Sequence, residues 1–79
     1  MENNKIAVVW SKENCPNCDQ SKKLLQLHEY TIEERKIGHG YTREDLLDLV
    51  PDARSVPQIF IDDELVGGLT ELKKLLAEG

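Results

Sequence analysis

The sequence predicts an α/β domain in which a mixed four-stranded sheet is flanked by three helices, in the order β-α-β-α-β-β-α. Three observations predict it. First, the apolar run Ile6-Ala7-Val8-Val9-Trp10 is followed by a helical pattern and then by a strand-forming segment. That is a βαβ unit, expected to be right-handed with its two strands parallel. Second, two short runs of strand formers after Pro57 are separated only by Asp62-Asp63. A connection that short forces an antiparallel pair. Third, 79 residues suffice for one domain, residues 1–79, with a single thin core.

Ile6–Trp10 reads as a strand buried on both faces, as inside a parallel sheet. Ser11 to Asn14 is polar loop, and Pro16 suits the first helical turn, where its missing N–H is not needed. The helical pattern from Asn17 to about His28 gathers Cys18, Leu24, Leu25 and Leu27 on one side. Tyr30–Ile37 contains strand formers but carries Glu33, Glu34, Arg35 and Lys36, which suits an edge strand. A second helix starts at Thr42, whose hydroxyl can cap it with Asp45 as the reciprocal acid; Leu46, Leu47, Leu49 and Val50 give its apolar side and Pro51 ends it. Asp52–Val56 is loop, Pro57–Ile61 a strand entered through proline, Asp62-Asp63 a turn, and Glu64–Val66 a short strand broken by Gly67-Gly68. Thr70 is expected to cap the last helix, which carries Leu69, Leu72, Leu75 and Leu76.

Ten basic and fifteen acidic side chains leave a net charge of −5, which argues against a dedicated nucleic-acid binder. No apolar run reaches the roughly 18 residues that a membrane span needs. The first ten residues do not resemble a signal peptide, so the cytoplasm is the expected location, the host's if the gene is viral. The charge is uneven. Lys5, Lys12, Lys22 and Lys23 against Glu2, Glu13 and Asp19 give residues 1–28 a net +1, which leaves −6 for the rest. In an acidic chain this favours an anionic ligand near the first 28 residues.

Cys15 and Cys18 are the only cysteines. Their place between a buried strand and a helix puts Cys15 at a helix N-terminus, where free amides and the helix dipole stabilise a thiolate. Lys12, three residues earlier, adds positive charge. Cys15 is therefore the expected nucleophile and Cys18, one turn further in, the resolving thiol. The competing readings are half of a zinc site and a purely structural pair. Zinc needs about two more ligands, and His28 and His39 lack the H-x₃₋₅-H spacing. A CxxC beside a βαβ pattern is a thioredoxin-like redox signal.

Lys12-x-x-Cys15-Pro16-x-Cys18, Ser55-Val56-Pro57-Gln58-Ile59-Phe60-Ile61 and Gly67-Gly68-x-x-Glu71-Leu72 together resemble the glutaredoxin family over nearly the whole chain. The compact length is similar to that of its small bacterial and phage members. A monomer is the default expectation for a chain of this size, and the resemblance implies a thioredoxin-like fold. It implies an enzyme that uses glutathione to reduce protein disulfides and glutathione mixed disulfides in cell redox homeostasis and electron transport. Ribonucleotide reductase is an implied candidate partner. It also implies that Pro57 follows a cis peptide bond and faces Cys15. Carried over by position, Lys12 and Arg43 meet the glycine-end carboxylate of glutathione. Val56 and Pro57 present backbone to its cysteinyl part. Gly68, Thr70 and Glu71 hold its γ-glutamyl end. Asn17 stands where the family usually has an aromatic residue, Ser55 where Thr is commoner, and Glu71 where Asp is preferred. The dithiol pattern predicts no metal and no iron–sulfur cluster. Two alternatives stand beside this reading: a redoxin reduced by thioredoxin reductase, and a non-catalytic metal-binding module built on the CxxC.

Overall fold

A computed structural model describes residues 5–78. The strands are β1 (Ile6–Ser11), β2 (Thr31–Lys36), β3 (Gln58–Ile61) and β4 (Glu64–Gly67), and the helices are α1 (Pro16–Leu27), α2 (Arg43–Leu49) and α3 (Leu69–Glu78). They form one sheet in the order β2-β1-β3-β4. β1 and β2 are parallel, from Ile6 opposite Thr31 to Ser11 opposite Lys36. β3 is antiparallel to both β1 and β4. The charged strand β2 is an edge, as its composition predicts.

The period-two alternation of β1 divides the core into two layers. Ala7 and Val9 face one way and pack with Leu25 of α1, Ile59 and Leu72 of α3. Trp10 faces the other way and packs with Leu46 of α2 and Val50, with Val8 and Phe60 against them. α1 and α3 thus cover one face and α2 the other. Each fully buried leucine or isoleucine contributes about 1.5–3 kcal/mol by leaving water.

The local signals explain the boundaries. Pro16 opens α1. Thr42 and Asp45 make the reciprocal capping box of α2, with Asp45 N–H donating to Thr42 Oγ1 at 3.1 Å and Thr42 N–H to Asp45 Oδ2 at 2.9 Å. Asp62 and Asp63 both adopt left-handed φ, 55° and 65°, as a tight hairpin turn demands. Short polar side chains tolerate that region without glycine.

Several expectations are corrected. Leu27 is 79% exposed and Leu49 54% exposed, and Leu75 also faces solvent. Ser21, which was not counted on the apolar side, is fully buried, and its hydroxyl donates to the Asn17 carbonyl at 2.8 Å. A small residue satisfied by its own helix lets α1 lie close to the sheet. Ile6 is half exposed, because the outer end of β1 extends past its cover. Thr70 does not cap α3, which begins at Leu69. Gly68 stands at the cap: its carbonyl accepts from Leu72 N–H at 2.9 Å, and its N–H donates to Glu71 Oε1 at 2.9 Å. The side chain of Glu71 thus does from inside the first turn what a capping hydroxyl would do from before it.

Candidate active site

The site forms where β1, α1 and the β3 entry meet. β1 ends in the buried core, so the loop that follows it emerges beside the start of α1. Cys15 is the N-cap of α1, in an extended backbone conformation (φ −121°, ψ 94°). Its Sγ accepts from Cys18 N–H at 3.1 Å, an orphan amide of the first turn. Cys15 and Cys18 are joined in a disulfide, with Cα atoms 5.2 Å apart. Cys15 is 8% exposed and Cys18 1% exposed. Cys15, at the helix terminus, is therefore the more accessible of the two residues. In the reduced protein the Cys18 amide is positioned to stabilise a Cys15 thiolate.

Val56-Pro57 is a cis peptide bond, and Val56 O lies 3.9 Å from Cys15 Sγ. This brings the Ser55-Val56-Pro57 segment against the redox pair, as expected. Two grooves flank it, and Ser55 and Val56 line both.

The first groove encloses about 230 Å³ and collects Lys12, Arg43 and Arg54 over an apolar floor that includes Ile37, Leu46 and Ala53. Lys12 and Arg43 are thus brought together, as expected, although 31 positions separate them. Arg54 belongs with them and was missed. Its signal was its place in the loop directly before Ser55-Val56-Pro57. The charge reading also needs correction. Two of the three cations here come from the net-acidic part of the chain, because α2 and the β3 entry fold back over the first loop.

The second groove encloses about 740 Å³ and runs past Asn17 and Pro57 to Gly68, Thr70 and Glu71. It ends at the N-terminus of α3, whose first-turn amides have no partner within the helix. Gly67 adopts φ +118°, and a Cβ added there would meet the Glu71 side chain at 3.0–3.2 Å. Glycine at 67 is what allows Glu71 to fold back over the Gly68 amide. All ten residues expected at the site therefore lie at the redox pair or line one of these two grooves, with Thr70 as a first-turn residue and not a cap.

The rest of the shell is structural. Ser11 Oγ donates to Glu34 Oε2 at 2.5 Å, and Lys22 Nζ reaches the same oxygen at 2.9 Å, which pins α1 to the edge strand. The Ser11 hydrogen bond, then Lys22, hold the Glu34 carboxyl below its ordinary value. His39 Nε2 and Glu13 Oε2, 2.6 Å apart, tie the loop before Cys15 to the β2–α2 loop. Among the described residues no three His, Cys, Asp or Glu side chains are grouped to hold a metal ion. No helix among them is long and apolar enough to cross a membrane.

Comparison with known proteins agrees with this geometry. The family model described as Glutaredoxin matches residues 7–66. Glutaredoxin 3 of Escherichia coli strain K12 is 36% identical over 72 residues, covering 90% of this chain and 86% of its own. The crystal structure of glutaredoxin 1 from Francisella tularensis, complexed with cacodylate, superimposes with a TM-score of 0.79 at 28% identity, covering 94% of each chain. A buckwheat glutaredoxin–glutathione complex superimposes with a TM-score of 0.81 at 25% identity, covering 98% of this chain and 73% of that one. A thioredoxin-like fold, a disulfide-forming CxxC at a helix N-terminus and these relatives leave one assignment: the chain belongs to the glutaredoxin family and is a thiol–disulfide oxidoreductase.

Proposed function

We propose that this oxidoreductase uses glutathione, and that it reduces both glutathione mixed disulfides and protein disulfides. The observation that carries the reading is the pair of unlike grooves that share Ser55 and Val56 beside Cys15 Sγ. Glutathione has a carboxylate at its glycine end and an ammonium with a second carboxylate at its γ-glutamyl end. Lys12 and Arg43 suit the first. The α3 amides, with Thr70 beside them, suit the second carboxylate, and the Glu71 carboxylate suits the ammonium. Val56 offers backbone to the extended part between them, as a strand adds to a sheet edge. Asn17 lines the α3 groove with a polar side chain at the position where the family resemblance implies an aromatic ring.

The reaction balances as a sequence of displacements. The Cys15 thiolate attacks the glutathione sulfur of a mixed disulfide. A bond forms between the two sulfurs, and the substrate leaves as a thiolate that takes up a proton. A second glutathione thiolate then attacks that glutathione sulfur, releases oxidised glutathione and restores Cys15. With a protein disulfide, Cys15 forms a mixed disulfide with the protein, and Cys18 attacks Cys15 to release the reduced dithiol. The enzyme is left with the Cys15–Cys18 disulfide, which two glutathione molecules reduce. Ribonucleotide reductase, proposed on the family resemblance, is one protein disulfide to test.

The test is NADPH-coupled reduction of a glutathione mixed disulfide, with glutathione and glutathione reductase in one arm and thioredoxin reductase in the other. Turnover in the glutathione arm is the expected result. Turnover confined to the thioredoxin reductase arm would keep the Cys15 chemistry and remove glutathione from it.

A further inference from the structure

We propose that the cationic groove selects its protein substrate: Arg54 reads an acidic side chain next to the target cysteine. The proposal rests on the glutathione-dependent reading and extends it to the polypeptide half of a mixed disulfide. Three cations, Lys12, Arg43 and Arg54, line a groove of about 230 Å³ that no carboxylate lines among the described residues. None of the three is hydrogen-bonded or ion-paired among those residues, although the chain carries fifteen acidic side chains against ten basic ones. The glycine end of glutathione brings one negative charge, which Lys12 and Arg43 already answer. Like charges gathered without partners repel one another, so the third cation leaves the groove with unanswered positive charge that a second anion would neutralise.

The floor decides where that anion must sit. Ile37, Leu46 and Ala53 line the groove with the cations and offer no polar side chain to compete for the anion, which favours a short-range pairing. The rest of the molecule is net negative and repels an acidic protein at long range. Screening confines each charge to roughly 8–10 Å at physiological salt. The favourable anion must therefore lie within a few residues of the attacked disulfide. Arg54 stands two residues before Val56, whose carbonyl is 3.9 Å from Cys15 Sγ, so it is placed for such a neighbour. A guanidinium also takes a carboxylate in a two-point contact, which rewards a fixed geometry.

The experiment uses two peptides, each as its glutathione mixed disulfide, that differ only in Asp or Asn next to the cysteine. The expected result is that wild-type protein prefers the Asp peptide by about tenfold in kcat/KM at low salt. Arg54→Gln brings that ratio to about one, Arg54→Lys keeps only the part that a point charge supplies without the two-point contact, and Lys12→Gln lowers both rates while the preference persists. Equal turnover of the two peptides by wild-type protein would overturn the proposal. So would an Arg54→Gln variant that lowers both rates by one factor and keeps the ratio, since Arg54 would then serve only the glutathione carboxylate. Loss of turnover on both peptides and on a small-molecule glutathione disulfide alike would instead overturn the underlying glutathione reading.

Discussion

The two grooves that meet at Val56 present positive character by different physics. In one it comes from Lys12, Arg43 and Arg54, long side chains carried by a loop, a helix start and another loop. In the other it comes from the backbone amides at the start of α3, with Glu71 folded over the Gly68 amide. Side-chain cations are screened by salt, adapt to different anions and vanish with one substitution. Amides keep a fixed direction and cannot be substituted away, but they are lost if the backbone moves. On the proposed glutathione reading, the amide groove takes only the γ-glutamyl end, whereas the cationic groove takes the glycine end together with the acidic side chain proposed for the protein partner.

Breaking the backbone groove is expected to cost most. Gly67→Ala places a Cβ at 3.0–3.2 Å from the Glu71 side chain, on a residue with φ +118°. The variant should lose about 1–3 kcal/mol of stability, read by urea unfolding. It should also raise KM for glutathione mixed disulfides, because Glu71 can no longer lie over the Gly68 amide. Unchanged stability and KM would show that the Glu71 position is not set by Gly67.

Weakening the side-chain groove comes next. Lys12→Gln removes a charge-assisted contact of about 1.5 kcal/mol. KM for a glutathione mixed disulfide should rise roughly tenfold at low salt, with kcat little changed. The gap between variant and wild type should narrow in about 0.5 M salt, whereas the Gly67→Ala defect should persist. Equal salt sensitivity of the two variants would erase the distinction between the grooves.

The smallest effect concerns the support behind both. The Ser11 hydrogen bond and Lys22 hold the Glu34 carboxyl below its usual value. A carboxyl lowered by folding adds stability above its unfolded value, and that stability is lost as pH falls through the folded one. Glu34→Gln should therefore cost about 0.5–1 kcal/mol at pH 7, discounted for its partial exposure, and the difference should shrink in acid. Denaturant midpoints at pH 7 and pH 3 measure it. A difference that grows in acid would contradict the assigned network.

Much of this was legible in the sequence, for reasons that are local. Pro16 and Thr42-x-x-Asp45 mark helix starts through backbone hydrogen bonding, and Asp62-Asp63 marks a turn through its left-handed φ values. The CxxC before a helix carries its own electrostatics. What was not legible depends on packing between elements. Leu27, Leu49 and Leu75 look like core residues by type, but a four-stranded sheet of this size covers only part of each helix. Thr70 looks like a cap by type, yet Gly68 holds that place because Glu71 reaches it from within the helix. Arg54 carries only a weak signal in a linear reading, its place just before Ser55-Val56-Pro57. It gains meaning only when the β3 entry lies beside Lys12 and Arg43, residues from elements far apart in the chain.

On the proposed reading, one extended tripeptide spans both grooves across Val56. Amide and side-chain NMR of the Cys18→Ser protein, before and after glutathione is joined to Cys15 as a mixed disulfide, tests it most directly. Shift changes are expected at Val56 and in both arms, at Lys12 and Arg43 on one side and at Gly68, Thr70 and Glu71 on the other. Changes confined to Cys15 and its immediate neighbours would contradict it.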